Sequence, residues 1–380
     1  MIVYADNAAT TRVSDLAFDK MMPYFRDKYG NASSQYPLGR DSKKAIEFAR
    51  QQIANSMNCK NSEIVFTSGG SEGNNWIFQR IPYLFNKKKI HIITSTIEHH
   101  SVLNICKFLE KNGIEISYIP VDSQGNISIG EIKKAIRPET KLVSIMYANN
   151  EIGTIQPIGE IGNYLRSKKI LFHTDAVQAV GHIPIDLNTL NIDFLTASAH
   201  KFNGLKGSGF AYIRSGIDLP NFISGGAQEA SKRAGTENVP GIVAMGYALE
   251  ENIKILSHEK TKQAELVNAT INLLKNNIEG ISINAEGATR LPGTLNITFP
   301  TGTGDAIMNL LSLKNICIST SSACNSGKNN LSHVLSAIGL SERQIKASIR
   351  ISYGRYNTLN DVNIIANAII NAYKKIKFSL

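Results

Sequence analysis

Strand-like and helix-like segments alternate through the first half of the chain, and this alternation limits the folds open to it. An amphipathic helix pattern ends at Met57, and a short buried strand is predicted at residues 63–67. Similar strand-like runs follow, most of them separated by helix-like or loop segments, at residues 91–95, 116–120, 142–146, 170–173, 193–197 and 209–213. This pattern predicts an α/β fold with a mainly parallel sheet covered by helices.

A change of pattern near residue 258 predicts a second, smaller domain. The sequence is helix-like from Pro240 to Asn276, and strand-like segments then occur at residues 293–299, 316–319 and 348–352. A chain of 380 residues is also too long for one simple core. We therefore expect a large domain over residues 15–258 and a small α+β domain made of residues 1–14 and 259–380.

Charge and the N-terminal sequence indicate the kind of partner and compartment to expect. The chain has 41 Lys and Arg against 31 Asp and Glu, a net charge of +10, and these residues are spread along the sequence. A dispersed charge of this kind disfavours direct binding of nucleic acid. No signal-peptide pattern and no membrane-length apolar window occurs, so we expect a soluble cytoplasmic protein without a membrane partner.

Four cysteines are present, and only one has a sequence context that suggests reactivity. Cys59, Cys106, Cys317 and Cys324 form no Cys-x-x-Cys pair, which indicates neither a disulfide framework nor a zinc site. Cys324 lies in the small, polar stretch 319–327, which is typical of a mobile loop. A thiol in such a loop can react with a substrate, whereas a core thiol is inert.

Three polar motifs follow predicted strands, where ligands of parallel sheets bind. The glycine-rich turn 66–74 leads into the start of a helix, which can bind a phosphate. The alternative is that these glycines only form a turn. The turn lacks the residue spacing of a P-loop. Asp175 can bind a metal with His173, keep a ring nitrogen protonated, or cap a helix. Lys201 can form a Schiff base with an aldehyde, or lie at the surface.

A phosphate-binding turn, an acid and a lysine thus follow successive strands. Their combination favours a single bound cofactor over the interpretation of each motif by itself. Pyridoxal 5′-phosphate needs a partner for its phosphate, one for its ring nitrogen and one for its aldehyde. A single bound molecule of this cofactor would therefore account for all three motifs.

Further motifs keep the same order and spacing along nearly the whole chain. They are residues 4–11, Glu98-His99-His100, residues 149–153, residues 173–178, Ser198-Ala199-His200-Lys201, residues 233–238, Ser321-Ser322-Ala323-Cys324 and residues 349–352. In these motifs the chain resembles the class I cysteine desulfurases, within the aminotransferase class V group of pyridoxal-phosphate enzymes. The resemblance implies the type I aminotransferase fold.

The resemblance also implies a reaction. L-Cysteine would be converted to L-alanine, and its sulfur would pass as a persulfide on Cys324 to an acceptor protein. That acceptor would serve iron–sulfur cluster assembly or tRNA thiolation. The alternative within this chemistry is a selenocysteine lyase or another pyridoxal-phosphate-dependent transferase of the same fold.

Roles for the reacting groups follow from the same resemblance. Lys201 would bind the cofactor aldehyde and move the Cα proton. His99 would stack on the ring and act in acid–base steps at the substrate thiol, and Asp175 would protonate the ring nitrogen. Arg350 would bind the substrate carboxylate, for which its planar, two-pronged guanidinium is well suited.

The remaining positions implied by the resemblance hold the cofactor. Gln178 would donate to the ring oxygen, and Asn150 would lie near that oxygen and the substrate. The phosphate would be bound by a set of four residues, Gly70, Ser71, Ser198 and His200. Thr236 would reach the phosphate of the neighbouring subunit, which implies a homodimer.

Some positions depart from the family pattern, and other classes of protein stay open. Leu205 stands where proline is common, Ala230-Ser231 interrupt a stretch that usually bears glycine or arginine, and residues 328–331 replace a usual Leu-Glu-Pro run. The last departure leaves the sulfur acceptor open. A metal-dependent hydrolase would use Glu98, His99, His173 and Asp175, and a desulfurase-like binding subunit would mainly dock acidic acceptors.

Overall fold

The computed structural model describes residues 2–86, 89–320 and 331–378. The helices are α1 (Asp15–Met21), α2 (Pro23–Arg26), α3 (Pro37–Met57), α4 (Gly70–Leu84), α5 (His100–Lys111), α6 (Ile129–Ala135), α7 (Ile158–Ser167), α8 (Val239–Asn277), α9 (Gly304–Ser312), α10 (His333–Ala337), α11 (Glu342–Lys346) and α12 (Leu359–Phe378). The strands are β1 (Val3–Tyr4), β2 (Ile64–Thr67), β3 (His91–Ser95), β4 (Glu115–Ile119), β5 (Thr140–Ser144), β6 (Leu171–Asp175), β7 (Phe194–Ser198), β8 (Gly209–Ile213), β9 (Ser282–Ile283), β10 (Thr294–Thr298), β11 (Ile316–Cys317), β12 (Ser319–Thr320) and β13 (Ser348–Ser352).

The predicted parallel sheet is confirmed. Within the described ranges its strands lie in the order β2-β8-β7-β6-β5-β3-β4. Strands β3 to β7 pair in parallel, while β8 runs antiparallel to both of its neighbours. The carboxyl ends of β2, β3, β5, β6 and β7 therefore meet at one edge of the sheet, where ligands of such sheets bind.

Apolar side chains cover both faces of this sheet, and nearly all residues of its strands other than β4 are buried. On one face α3 and the first half of α8 pack in the same core as Phe172, Leu195 and Phe210. On the other face α4 and α5 pack with Phe194 and Leu142. A sheet buried on both faces is the expected consequence of helical crossovers between parallel strands.

A second, smaller core forms around an antiparallel sheet with the strand order β12-β13-β10-β9. The N-terminal strand β1 joins this part of the molecule, since it pairs in parallel with β11. The predicted strand 316–319 is two short strands, because β11 pairs with β1 while β12 pairs with β13. None of the helices in the ranges described combines the length and apolar character needed to cross a bilayer.

Helix α8 links the two cores. Val243 and Leu249 in its first half belong to the large core, and Leu266 and Leu274 in its second half belong to the small one. The expected division at residue 258 falls inside this continuous helix and stays a prediction.

Candidate active site

A cavity of about 270 Å³ lies at the carboxyl edge of the parallel sheet. Most of the predicted site residues line it: Gly70, Ser71, His99, Asn150, Asp175, Gln178, Ser198, His200, Lys201 and Arg350. Thr236 does not line it and lies exposed between β8 and α8. Cys324 lies outside the described residues. A larger cavity of about 860 Å³, beside Arg50 and Glu229, contains none of the described site residues.

The N-terminus of α4 forms one end of the cavity. Gly69 precedes this helix with φ of +152°, a conformation that side-chain-bearing residues rarely adopt. The first backbone N–H groups of a helix have no acceptor within it, and together with the helix dipole they attract anions. Ser198, the last residue of β7, lies at this end, since its Oγ would be 3.3 Å from a Cβ on Gly69, and His200 lines the same cavity. This cradle fits a phosphate group.

His200 contributes as a neutral ring. Burial, together with the positive charges of Lys201 and Lys206, lowers the pKa of His200 to about 4. Its Nδ1 lies 3.1 Å from Thr10 Oγ1, and its backbone carbonyl accepts hydrogen bonds from Thr11. His200 is therefore a hydrogen-bonding group near neutral pH rather than a cation.

Asp175 is the buried acid of the cavity, with 5% of its surface exposed. Its Oδ2 accepts a hydrogen bond from Asn74 Nδ2 at 2.7 Å, and its Oδ1 accepts one from Val177 N at 3.0 Å. Asp175 ends β6 and is followed by turns, so the helix-cap interpretation is wrong: the carboxylate forms a local turn. A buried carboxylate held by two donors fits the protonated nitrogen of a pyridine ring.

The metal interpretation has no support in the positions of its proposed ligands. His173 is fully buried, its Nδ1 lies 2.8 Å from Ser144 Oγ, and it does not line the cavity. Among the residues that the structure describes, no group of three or more His, Cys, Asp and Glu side chains is placed to hold a metal ion.

Lys201 is half-buried and faces the N-terminal segment, so its interpretation as a surface lysine is wrong. Its Nζ donates to the carbonyl oxygens of Ala8 and Ala9 at 2.6 and 2.7 Å. Gln178 Nε2 donates to the same Ala8 oxygen at 3.0 Å. The N-terminal segment therefore forms part of the cavity wall, through Ala8 and Ala9.

His99 is the N-cap of α5 and is open to the cavity. Its Nδ1 accepts a hydrogen bond from Ser101 N at 3.1 Å and lies 2.8 Å from Ser101 Oγ. Burial lowers the pKa of His99, and the charges of Lys201 and His100 act in the same direction against that of Asp175. The lowered pKa favours the neutral ring, and because Nδ1 accepts from Ser101 N, the proton of that ring lies on Nε2.

Arg350 lies on β13, in the sheet of the small core, and its side chain lines the cavity. Its Nη2 forms an ion pair with Asp6 Oδ1 at 2.7 Å, and its Nη1 donates to the Asn150 carbonyl oxygen at 2.8 Å. Only 4% of Arg350 is exposed, so the guanidinium is held in one orientation. A fixed guanidinium at this position can bind a small carboxylate.

Two residues of the site, Asn74 and Asp6, are not predicted by the sequence. Asn74 lies inside the glycine-rich turn 66–74, and Asp6 lies inside the N-terminal motif 4–11. Their partners, Asp175 and Arg350, are 101 and 344 positions away in the chain. No local pattern in the sequence signals either contact.

The described departures from the family pattern lie away from the cavity. Leu205 is partly buried and packs against the large core. Ala230 and Ser231 have φ of +53° and +65°, a left-handed backbone that residues other than glycine seldom adopt. Residues 328–330 are not among the described residues. Leu331, the described residue of the third departure, does not line the cavity either, so none of the described departures removes a group that lines it.

The fold and this cavity together define a pyridoxal-phosphate-dependent enzyme of the aminotransferase type. The family model for aminotransferase class-V matches residues 3–365. The chain is 45% identical to "Cysteine desulfurase IscS" of Methanosarcina thermophila, over 99% of this chain and 93% of that one. It therefore belongs to the aminotransferase class-V family and, within it, to the cysteine desulfurases, which use pyridoxal 5′-phosphate.

Solved structures support the same assignment. A structure described as "NIFS-LIKE PROTEIN" superposes with a TM-score of 0.93 at 39% identity and covers 99% of this chain and 100% of its own. A second structure, "SspA in complex with cysteine", has a TM-score of 0.82 at 37% identity and covers 93% of this chain and 99% of its own. The predicted fold, enzyme class and cofactor are thus confirmed, and nothing in these relatives favours a selenocysteine lyase.

Proposed function

We propose that this cysteine desulfurase transfers the sulfur of L-cysteine to the thiol of Cys324. One molecule of L-cysteine and one thiol give one molecule of L-alanine and one persulfide, so atoms and electrons balance. The observation that carries the proposal is the convergence of Lys201, Asp175 and Arg350 on one cavity. The relative described in complex with cysteine supports the choice of substrate.

The residues that line the cavity fit each part of the cofactor. The N–H groups at Gly70 and Ser71 would hold the phosphate together with Ser198 and His200. Asp175 would keep the ring nitrogen protonated. The ring oxygen would contact Gln178 and Asn150, the ring face would contact His99, and the aldehyde would react with Lys201. When bound, the cofactor supplies an electron sink that makes the substrate Cα proton acidic.

Proton transfers and substrate orientation would fall to side chains of this chain. Arg350 would bind the substrate carboxylate and so fix the Cα–H bond relative to Lys201 Nζ, which takes and returns the proton. The neutral His99 ring, whose Nδ1 accepts from Ser101 N, would give its Nε2 proton to the substrate sulfur and take it back in a later step. Both roles require residues held in one orientation, as Arg350 and His99 are.

Sulfur transfer would be a nucleophilic step at the substrate sulfur. The Cys324 thiolate would attack Sγ, the bond between Sγ and Cβ would break, and its electron pair would stay on carbon, which is then protonated. Cys324 lies outside the described residues, so its role rests on its place in the Ser321-Ser322-Ala323-Cys324 motif. The other cysteines lie in described segments away from the cavity.

We further propose a homodimer in which the partner subunit's Thr236 reaches the phosphate. The exposed position of Thr236, outside the cavity of its own chain, supports this arrangement. The sulfur acceptor would be an iron–sulfur scaffold or a tRNA-thiolating enzyme. A cytoplasmic location, and the lack of a direct nucleic-acid or membrane partner, stay predictions.

The decisive experiment compares the wild-type protein with Cys324→Ser. Both should show the visible absorption of the bound cofactor, but only the wild type should form alanine from L-cysteine and carry a persulfide. Cys317→Ser is the matched control, because Cys317 lies in β11 of the small core, and it should behave as the wild type. A Cys324→Ser protein that made alanine at the wild-type rate would contradict the proposal.

A further inference from the structure

The N-terminus of α10 is bonded directly to two loops of the active site. Ser332, its N-cap, is buried, and its Oγ donates to Glu151 Oε2 at 2.5 Å while accepting a hydrogen bond from Leu335 N. The next residue, His333, donates from Nε2 to the Glu98 carbonyl oxygen at 2.9 Å. The His333 ring also packs against that of His100, with centroids 4.8 Å apart.

The acceptors of these bonds immediately adjoin proposed site residues. Glu98 precedes His99 after β3, and Glu151 follows Asn150 after β5. The two loops are tied to each other, because Asn149 Nδ2 donates to the Ile97 carbonyl oxygen and Asn149 Oδ1 accepts from Glu151 N. A displacement of the α10 N-terminus would therefore also shift the loops that follow β3 and β5.

Glu151 connects this cluster to the small core as well. Its carbonyl oxygen accepts a hydrogen bond from Asn296 of β10, and its carboxyl lies in the field of Arg350. Burial raises the pKa of Glu151 to about 7, while Ser332 and Arg350 act to lower it. Such a buried carboxyl needs a hydrogen-bond partner, and Ser332 supplies one.

Strand β12, which precedes residues 321–330 in the chain, also lies next to a site residue. In β12, Ser319 pairs with Arg350 and Thr320 pairs with Ile349. Cys324 comes four residues after Thr320 and eight residues before Ser332 in the sequence. The described residues on either side of residues 321–330 are thus bonded next to site residues: Ser319 and Thr320 pair with the strand of Arg350, and Ser332 and His333 bond to the loops of Asn150 and His99.

We propose that Ser332 and His333 are positioning residues for sulfur transfer, which act by fixing the α10 N-terminus against the loops that carry His99 and Asn150. The inference rests on the proposed role of Cys324. Its physical basis is that a transfer between two thiols is sensitive to small misplacements of the reacting groups. Substrate binding at Arg350 would depend much less on these two residues, because Arg350 lies on β13 and is also held by its ion pair with Asp6.

Two substitutions separate this role from helix stability. Ser332→Gly removes the bond to Glu151 but keeps most of the N-cap stability, since glycine costs only a few tenths of a kcal/mol at an N-cap. His333→Phe keeps a ring against His100 but cannot donate to the Glu98 carbonyl. Ser341→Gly is the matched control, because Ser341 caps α11 and its side chain bonds to Gln344 of the same helix rather than to an active-site loop.

The experiment uses the cofactor-loaded enzyme and two readouts. Persulfide on Cys324 is followed in a single turnover after mixing with L-cysteine, by quenching, alkylation and mass spectrometry. Binding of L-alanine, which carries no sulfur, is followed from the cofactor absorption. We expect Ser332→Gly and His333→Phe to slow persulfide formation by about 10-fold or more, with alanine affinity changed less than about 2-fold.

Rescue and contrary outcomes complete the test. Ser332→Thr, which keeps the hydroxyl, should restore the rate to within about 3-fold of the wild type. The inference is overturned if Ser332→Gly and His333→Phe match Ser341→Gly in persulfide formation, or if their alanine affinity falls as much as the rate. A wild-type enzyme that formed alanine without persulfide on Cys324 would instead contradict the proposed function, and this inference with it.

The rate of Cys324 alkylation by iodoacetamide, without L-cysteine, gives an independent readout. Misplacement of the α10 N-terminus should change this rate in Ser332→Gly and His333→Phe relative to both the wild type and Ser341→Gly. Equal alkylation rates in all four proteins, together with equal persulfide formation, would contradict a positioning role.

Discussion

Asn74 Nδ2 donates to Asp175 Oδ2 at 2.7 Å, so the acid of the site is held by an amide on the helix that begins at its phosphate cradle. The same nitrogen donates to Ser101 Oγ at 2.9 Å, and Ser101 contacts His99. Thr196 Oγ1 donates to Asn74 Oδ1 at 2.6 Å, which fixes the orientation of the amide. Asn74 therefore links the groups proposed to contact the ring nitrogen and the ring face.

Asn74→Ala should weaken cofactor binding. The change leaves one oxygen of the buried Asp175 carboxylate without its donor, and a hydrogen bond to a charged group contributes about 1.5–3 kcal/mol. We expect the dissociation constant of pyridoxal 5′-phosphate to rise roughly 10- to 100-fold. Absorbance titration of the apo protein measures this constant.

Asn112→Ala is the control for that substitution. Asn112 is exposed at the end of α5 and bonds to the Phe108 carbonyl, away from the cavity. It should leave the dissociation constant unchanged. Equal constants for Asn74→Ala and the wild type would show that Asn74 does not support Asp175.

Arg350→Lys should raise the KM for L-cysteine. A lysine keeps the positive charge but loses the planar fork that binds a carboxylate through two parallel hydrogen bonds. We expect KM to rise by about 10-fold or more, and steady-state alanine formation measures it. Arg343→Lys, at an exposed position on α11, is the control. An unchanged KM in Arg350→Lys would show that Arg350 does not bind the substrate carboxylate.

The strand-end residues of the site could be predicted because a parallel sheet brings all its carboxyl ends to one edge. Asp175 and Lys201 follow apolar runs that the sequence shows plainly, and their shared edge needs no knowledge of side-chain packing. The roles of Cys324 and Thr236 came from the resemblance to a family. Thr236 does not line the cavity and Cys324 lies outside the described residues, so neither role follows from the geometry of the cavity.

Contacts between distant segments could not be predicted. Asp6 and Arg350 meet because β1 pairs with β11 and because Asp6 bridges to Ser352. These are two-residue or single-residue pairings, too short to leave an alternating pattern. Helix α8 was predicted as one helical stretch, but its periodicity cannot show that its two halves pack in different cores.

Glu98→Gln should change how stability depends on pH. Glu98 is buried, its Oε1 accepts hydrogen bonds from Ser95 Oγ and Met146 N, and its Oε2 has no partner within the structure described. Burial raises the pKa of Glu98 to about 8. The folded state therefore holds a proton that the unfolded state releases near pH 4.3, so the contribution of Glu98 is greatest below that pH and declines as the pH rises towards 8.

The variant removes this titration. Between pH 5 and 8 the wild type should lose stability relative to Glu98→Gln by up to about 1.4 kcal/mol per pH unit. Unfolding temperatures at saturating pyridoxal 5′-phosphate, measured at several pH values, test this. For the control Glu110→Gln, at an exposed position on α5, the unfolding temperature should change with pH as it does in the wild type. A Glu98→Gln curve that was also parallel to that of the wild type would mean that Glu98 ionises normally in the folded protein.

Gly70→Ala should disturb the phosphate cradle through a contact with Val177. A Cβ at position 70 would lie 2.4 Å from Val177 Cγ2, which is too close without movement of one of them. Overpacking of this kind costs about 1–3 kcal/mol, so we expect a lower unfolding temperature and roughly 10-fold weaker cofactor binding.

Val177→Ala in the same chain should relieve the clash. The double variant should recover most of the lost cofactor affinity, because the two substitutions act on one contact and are therefore not additive. Gly159→Ala is the control, since a Cβ there lies 3.6 Å from Leu190 in ordinary contact and alanine favours the helix α7. If the losses of cofactor affinity from the two substitutions were instead additive in the double variant, the effect of Gly70→Ala would not arise from its contact with Val177.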